Sequence, residues 1–100
     1  MIYRLTVPAT IEDNDAVRVL EWHGRPGESI AAGQLLVELE THKALIEVRA
    51  TRAAVLRLLA FEEGAWCKLG TTLAFLSDDP DEPLSRDAPA AEWLADFQIG

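Results

Sequence analysis

The sequence has little cysteine and methionine and no long apolar run. Its single cysteine, Cys67, cannot form a disulfide within the chain, and its largely apolar neighbours predict a small core residue rather than a reactive thiol. No apolar stretch approaches the roughly 20 residues that a membrane-spanning helix requires, and no export signal opens the chain. We therefore expect a cytoplasmic protein with no membrane partner.

Basic residues are also few. The 100 residues carry a formal net charge of -8, whereas a nucleic-acid-binding protein needs a basic patch along the phosphates, so we expect no nucleic-acid partner. Catalytic arrangements are missing as well: there is no Ser/His/Asp or Cys/His set and no glycine-rich phosphate loop, and His23 and His42 lack metal-ligand spacing with Cys67. The sequence predicts neither an enzyme nor a metal protein.

The acidic charge is concentrated towards the C-terminus. Residues 1–77 hold eight Lys/Arg against ten Asp/Glu, a net of -2, and residues 78–100 hold one Arg against seven acids, a net of -6. The stretch "SDDPDEPLSRDAPA" is typical of an extended linker. We predict a folded domain over 1–77 and a mostly disordered acidic tail over 78–100. Trp93 and Phe97, four residues apart, predict a short amphipathic helix at 90–98 that could dock the chain onto a larger assembly.

Short apolar clusters fill the first 77 residues. They are "IYRLTV", "VRVL", "LLVEL", "ALIEV", "VLRLLAF" and "TLAFL", separated by Gly, Pro and charged residues. This pattern predicts an all-β sandwich or barrel. The stretch "ATRAAVLRLLAFEEG" has helical propensity too, so its assignment needs a second observation.

An internal repeat supplies that observation. A shift of 37 residues aligns "PGESIAAGQLL" with "EGAWCKLGTTL", which share the pattern G-x5-G-x2-L, and it also places Val19 on Leu56 and Trp22 on Leu59. Two copies of one β-unit predict a quasi-two-fold pair of half-sheets around a shared core. The repeat therefore assigns residues 55–61 to a strand.

The segment "ELETHKALIEV" lies between the two copies and has no counterpart in the repeat. Its four polar residues 40–43 predict a tight turn that holds Lys43 on a stiff two-stranded support. A primary amine in that position can form an amide with a cofactor. We infer that Lys43 is a candidate attachment site, and the alternative is an ordinary exposed turn lysine.

Residues 1–77 resemble the lipoyl domains of 2-oxo acid dehydrogenase complexes. Trp22, "PGESIAAGQLLVELETHKALIEV" and "EGAWCKLGTTL" carry the resemblance. It implies a flattened barrel-sandwich of two four-stranded antiparallel sheets, with Lys43 on an exposed hairpin at one end and lipoic acid joined to it as an amide. The strip recognised by other enzymes would consist of Glu40, Thr41, His42 and Ala44.

The same resemblance implies a non-catalytic carrier, because 100 residues leave no room for an acyltransferase domain. The carrier would be either free-standing or part of a longer acyltransferase chain. Its lipoamide arm would shuttle acyl groups and electrons within a 2-oxo acid or acetoin-type dehydrogenase complex. The implied partners are a lipoate ligase or lipoyl transferase, a thiamine-dependent 2-oxo acid decarboxylase, an acyltransferase core and a dihydrolipoamide dehydrogenase.

Related biotinyl domains carry their lysine between two methionines, whereas His42 and Ala44 flank Lys43 here, which favours lipoate. The alternatives are a biotin carboxyl carrier domain and an unmodified lipoyl-like interaction module. The sequence also departs from the family pattern. His42 replaces the usual aspartate before the lysine and removes a fixed negative charge. Val17 and Ala54 stand where glycine is common, so we expect the turns there to differ from the usual form or to carry strain.

Overall fold

The computed structural model describes residues 1–8, 11, 15–84, 90–93 and 95–99. These residues form two β-sheets around one core, as predicted. The strands are β1 Ile2–Thr6, β2 Ala16–Trp22, β3 Ser29–Ile30, β4 Leu35–Glu40, β5 Leu45–Ala50, β6 Ala54–Leu59, β7 Trp66–Lys68, β8 Thr72–Ser77, β9 Ala91–Glu92 and β10 Ala95–Ile99. The described ranges contain no helix, and so none with the length and apolar character to cross a membrane.

The two sheets have matching strand orders. One sheet runs β3-β6-β8-β1-β9 and the other runs β7-β2-β4-β5-β10. A shift of 37 residues carries β2, β3 and β4 approximately onto β6, β7 and β8, so equivalent strands occupy equivalent places. Each sheet therefore has the four predicted strands from residues 1–77 and a fifth from the tail.

Backbone hydrogen bonds follow the same symmetry. The Gly27 amide donates to the carbonyl of Leu56 at 2.7 Å, and the Gly64 amide donates to the carbonyl of Val19 at 2.7 Å. Adding 37 to Gly27 and Val19 gives Gly64 and Leu56, so each bond is the two-fold image of the other. The φ angles of the two glycines, 95° and 92°, also agree. The predicted quasi-two-fold arrangement is confirmed.

Side chains of both sheets fill the core, with alternating burial along β2 and β5 and continuous burial along most of β8. Cys67 belongs to it and is 1% exposed, which confirms the predicted core role. The assignment of residues 55–61 to a strand is confirmed for the part within β6. Val17 lies inside β2 and Ala54 begins β6, and because extended backbone suits any residue, neither position requires the strain that we expected.

The described part of the tail forms strands, so the predicted helix at 90–98 is wrong for these residues. Strand β9 pairs in parallel with β1, and β10 pairs antiparallel with β5. A spacing of four residues, as between Trp93 and Phe97, fits one face of a strand as well as one face of a helix. The open edges of β1 and β5 offer backbone groups that favour the strand. Residues 85–89, 94 and 100 lie outside the described residues, and the tail's predicted disorder and the boundary at residue 77 stay predictions.

Trp93 lies between β9 and β10, where the chain passes from one sheet to the other. Its side chain is 2% exposed and belongs to the core. The guanidinium of Arg52 lies 4.2 Å from the ring centroid of Tyr3 and 4.7 Å from that of Trp93, so one cation contacts both rings. The tail's tryptophan therefore packs within its own domain. A docking role for the tail stays a prediction, and it would depend on tail side chains other than the buried Trp93.

Candidate functional site

Lys43 lies on the turn that joins β4 to β5. Strand β4 ends at Glu40 and β5 begins at Leu45, which leaves the four turn residues 41–44. Both strands are interior members of their sheet, since β4 pairs with β2 and β5 while β5 pairs with β4 and β10. The structure thus has the predicted hairpin, with the turn one residue later than the predicted 40–43 because Glu40 still belongs to β4, and its exposed lysine stands on a support held from both sides.

Thr41 fixes the backbone of this turn. Its hydroxyl oxygen accepts hydrogen bonds from the amides of Lys43 at 3.2 Å and Ala44 at 3.0 Å. Its own amide donates to the carbonyl of Ala44 at 2.9 Å. The residue is 8% exposed, so water competes little for these bonds. A threonine hydroxyl that bonds to amides two and three residues later is a known turn-forming device, and here it determines where the Lys43 side chain begins.

His42 packs against an indole on a distant strand. The ring centroids of His42 and Trp66 are 5.6 Å apart and their planes are inclined by 32°. Trp66 opens β7, the edge strand next to β2, and its side chain is 51% exposed. The residue that replaces the family's usual aspartate therefore makes an aromatic contact next to the lysine.

A row of side chains crosses the outer face of the sheet below the turn. Its members lie in register on four neighbouring strands and are Leu45, Glu40, Arg18 and Trp66. In the middle, the Arg18 guanidinium lies 3.0 Å from the Glu40 carboxylate. At the two ends, Leu45 is 40% and Trp66 51% exposed, and among the described residues only Met1 is another large exposed apolar side chain. The lysine turn thus borders a surface with a neutralised ion pair between two apolar groups.

The two-fold counterpart of the lysine turn is the region where the chain enters and leaves residues 1–77. Adding 37 to Glu40 gives Ser77, the last residue of β8, and β8 pairs with β1 as β4 pairs with β5. Lys68 pairs with Ala16, at the end of β2 that lies beside the lysine turn. Strand β8 begins four residues later and runs towards the opposite end of the sandwich. The N-terminal ammonium contacts Glu82 at 2.7 Å, and this carboxylate raises the pKa of the ammonium. The attachment lysine and the two ends of residues 1–77 therefore lie at opposite ends of the sandwich, whereas β10 returns along β5 and brings Ile99 beside Ile46, next to the lysine turn.

His23 belongs to a separate ionic cluster. Its Nε2 lies 2.6 Å from a Glu38 oxygen and 3.4 Å from a Glu21 oxygen. Among the described residues, these three side chains form the one group of potential metal ligands that converge, and the two carboxylates lie directly opposite each other on β2 and β4. The cluster was not predicted because it depends on strand register. An imidazole that hydrogen-bonds to a carboxylate is sufficient to explain it as a polar network on the sheet surface.

Comparison with known proteins assigns the chain to a family. A biotin/lipoyl family model described as "Biotin-requiring enzyme" matches residues 4–76. The chain belongs to the biotin/lipoyl family. The solution structure of the lipoyl domain of the 2-oxoglutarate dehydrogenase complex from Azotobacter vinelandii is similar to it, with a TM-score of 0.67 and 29% identity over 75% of this chain and 95% of that one. The predicted resemblance to lipoyl domains is confirmed.

Curated relatives of this biotin/lipoyl family member are much longer proteins. The dihydrolipoyllysine-residue succinyltransferase component of the 2-oxoglutarate dehydrogenase complex from Cupriavidus necator is 31% identical over 90 residues, which cover 90% of this chain and 21% of the relative. The mitochondrial pyruvate dehydrogenase protein X component from Mus musculus is 26% identical over 80 residues, which cover 79% of this chain and 16% of the relative. The chain spans about a fifth of the length of these relatives.

Proposed function

We propose that this lipoyl domain is a non-catalytic carrier that bears lipoic acid on Lys43 and presents it to the components of a 2-oxo acid or acetoin-type dehydrogenase complex. The observation that carries the proposal is the exposed Lys43 amine on a turn whose backbone is fixed by Thr41. A bound lipoyl group supplies a dithiolane that accepts acyl groups and electrons. The chain supplies the amine, its fixed origin and the surrounding surface.

Two observations support lipoate over biotin. His42 and Ala44 flank Lys43, in place of the two methionines that biotinyl domains carry. In addition, a solved structure to which this fold is similar is a lipoyl domain. A biotin carboxyl carrier and an unmodified interaction module remain the competing functions that the experiment below separates.

The residues around Lys43 divide into two roles. Thr41 is buried and acts through the turn backbone, so it shapes the attachment site without offering much surface to another protein. His42 is exposed, and Glu40 and Ala44 are partly exposed. In our proposal these last three form the surface that a modifying enzyme and a decarboxylase contact.

The partners follow from the carrier role. A lipoate ligase or lipoyl transferase would modify Lys43 in the cytoplasm, and a thiamine-dependent 2-oxo acid decarboxylase, an acyltransferase core and dihydrolipoamide dehydrogenase would use the arm in turn. Similarity to components of both the 2-oxoglutarate and the pyruvate complexes supports this class of partner. Decarboxylases of both specificities are therefore the ones to test.

The test is intact mass after incubation with lipoate, ATP and a lipoate ligase. The chain has two lysines, Lys43 and Lys68, which provide a matched pair of variants. We expect one lipoyl increment on the parent chain and on Lys68→Arg, and none on Lys43→Arg. A biotin increment with a biotin ligase, but none with the lipoate ligase, would establish the biotin carrier instead. A parent chain that neither ligase modifies would favour the interaction module.

A further inference from the structure

Trp66 is exposed at a position where folding does not require an indole. It lies on the outer face of the edge strand β7, while the next residue, Cys67, is the one that points into the core. Exposing half of a tryptophan side chain to water costs hydrophobic free energy unless something covers it part of the time. His42 covers one part of the ring from the lysine turn. The remaining indole surface is therefore available beside the attachment site.

A lipoyl group on Lys43 would reach this surface. Strand β7 is two strands away from β4, which is roughly 10 Å at about 4.8 Å per strand. The lysine side chain and the lipoyl chain together place about ten bonds of about 1.5 Å between the backbone and the dithiolane. His42, the residue directly before Lys43, already touches the Trp66 ring, so the intervening path lies along the domain surface.

We propose that Trp66, with His42 against it, forms a binding surface for the dithiolane ring of the lipoyl group on Lys43. This inference rests on the proposed function. Sulfur makes favourable contacts with aromatic rings, and the covalent tether keeps the ring at a high effective concentration near the indole. The neighbouring Arg18 guanidinium and Glu40 carboxylate lie 3.0 Å apart, so these two charges of the row offset each other beside Trp66.

The proposed contact has a chemical consequence. The Trp66 ring shields one face of the oxidised dithiolane, so a reductant in solution reaches the disulfide less often while the arm lies on the indole. A partner active site must likewise displace the ring from Trp66 before it can use the arm. Trp66 and His42 are positioning residues in this account and do not take part in the chemistry.

The first measurement is a nitrogen–proton NMR spectrum of the chain before and after lipoylation of Lys43. The chain has three indoles, Trp22, Trp66 and Trp93, which act as internal controls for one another. We expect the Trp66 indole signal to shift on lipoylation, with the other two unchanged, and we expect cross-relaxation between Trp66 and dithiolane protons. Octanoylation of Lys43 adds a chain without sulfur and should reproduce little of the shift.

The second measurement is the rate at which a water-soluble phosphine reduces the lipoyl disulfide. Removing the indole with Trp66→Ala, or restoring the family's aspartate with His42→Asp, should speed reduction by about two-fold or more, as expected for a weak sulfur–aromatic contact. Trp22→Phe is the control and should leave the rate unchanged. Circular dichroism confirms that each variant is folded.

Intact mass separates the two ways in which this experiment can fail. A chain that is not lipoylated at Lys43 contradicts the proposed function itself. A chain that is lipoylated, but whose Trp66 signal and reduction rate do not respond, overturns only the binding surface. A shift confined to the Leu45 methyl groups would also overturn it, because it would place the ring at the other end of the row.

Discussion

The rings of Tyr3 and Trp93 meet edge to face with their centroids 5.5 Å apart and their planes inclined by 66°. This contact joins the first strand of the fold to the end of the chain. The Tyr3 hydroxyl also donates to a carboxylate oxygen of Asp78 at 2.9 Å. Two segments of the acidic region therefore bind the same tyrosine, and part of that region behaves as structure.

Replacing Trp93 with alanine should lower the free energy of unfolding by about 3 kcal/mol, because it leaves a large cavity and removes the aromatic contacts. Urea denaturation followed by circular dichroism measures the change. Trp66→Ala is the matched control, and since that side chain is 51% exposed, we expect a change of about 0.5 kcal/mol. Equal small effects for the two variants would mean that Trp93 is not packed in the core in solution.

Thr41→Val should loosen the lysine turn with little change in the core. The isosteric valine removes the acceptor of the Lys43 and Ala44 amides, and we expect a loss of about 1 kcal/mol and faster amide hydrogen exchange at these two residues. Thr41→Ser keeps the hydroxyl and should restore protection. Unchanged exchange in Thr41→Val would show that the hydroxyl does not hold the turn.

The two symmetry-related glycines should respond alike to substitution. Gly27 and Gly64 have φ angles of 95° and 92°, and a Cβ added at either would meet nothing within 4 Å. The cost of alanine is therefore a backbone cost, about 1–2 kcal/mol at each site. Denaturation midpoints of the two single variants test this. A large difference between them would contradict equivalent backbone environments in the two halves.

Burial raises the pKa of the Cys67 thiol, which gives stability a defined dependence on pH. The folded chain holds the proton more tightly than the unfolded chain, so this contribution is complete below the unfolded thiol pKa of about 8.5 and is lost as pH rises through the folded pKa. We expect the parent to lose more stability than Cys67→Ala between neutral and alkaline pH. The N-terminal ammonium, whose pKa is also raised, contributes with the same sign to both chains and cancels in the comparison.

Much of the fold was predictable because the repeat involves glycines whose positive φ angles few other residues tolerate. Positions 27 and 64 therefore mark equivalent turns in the sequence itself, and the alternating apolar residues between them define the sheets. The turn-forming role of Thr41 could also have been predicted from the sequence, since a threonine at the start of a four-residue turn bonds to the amides that follow. We had placed it only in the recognition strip.

Other features required the three-dimensional structure. The contact between His42 and Trp66 depends on β7 pairing next to β2, on the register of that pair and on two side-chain rotamers, none of which leaves a local pattern. The predicted helix at 90–98 was wrong because the Trp93–Phe97 spacing fits a strand and a helix equally. The deciding factor is the unpaired edge of β5, which becomes evident only once the sheet order is known.

The two-fold symmetry relates Glu40 to Ser77. The lysine turn and the region where the chain enters and leaves residues 1–77 are therefore equivalent corners of the fold. One corner is closed by four residues and bears the amine, and the other is open to the rest of the chain. From that second corner the tail returns along both sheets, and β10 brings Ile99 beside Ile46, one residue after the start of β5 at the lysine turn. The tail therefore occupies the edge of β5 beside the amine and closes that edge to a strand from another protein.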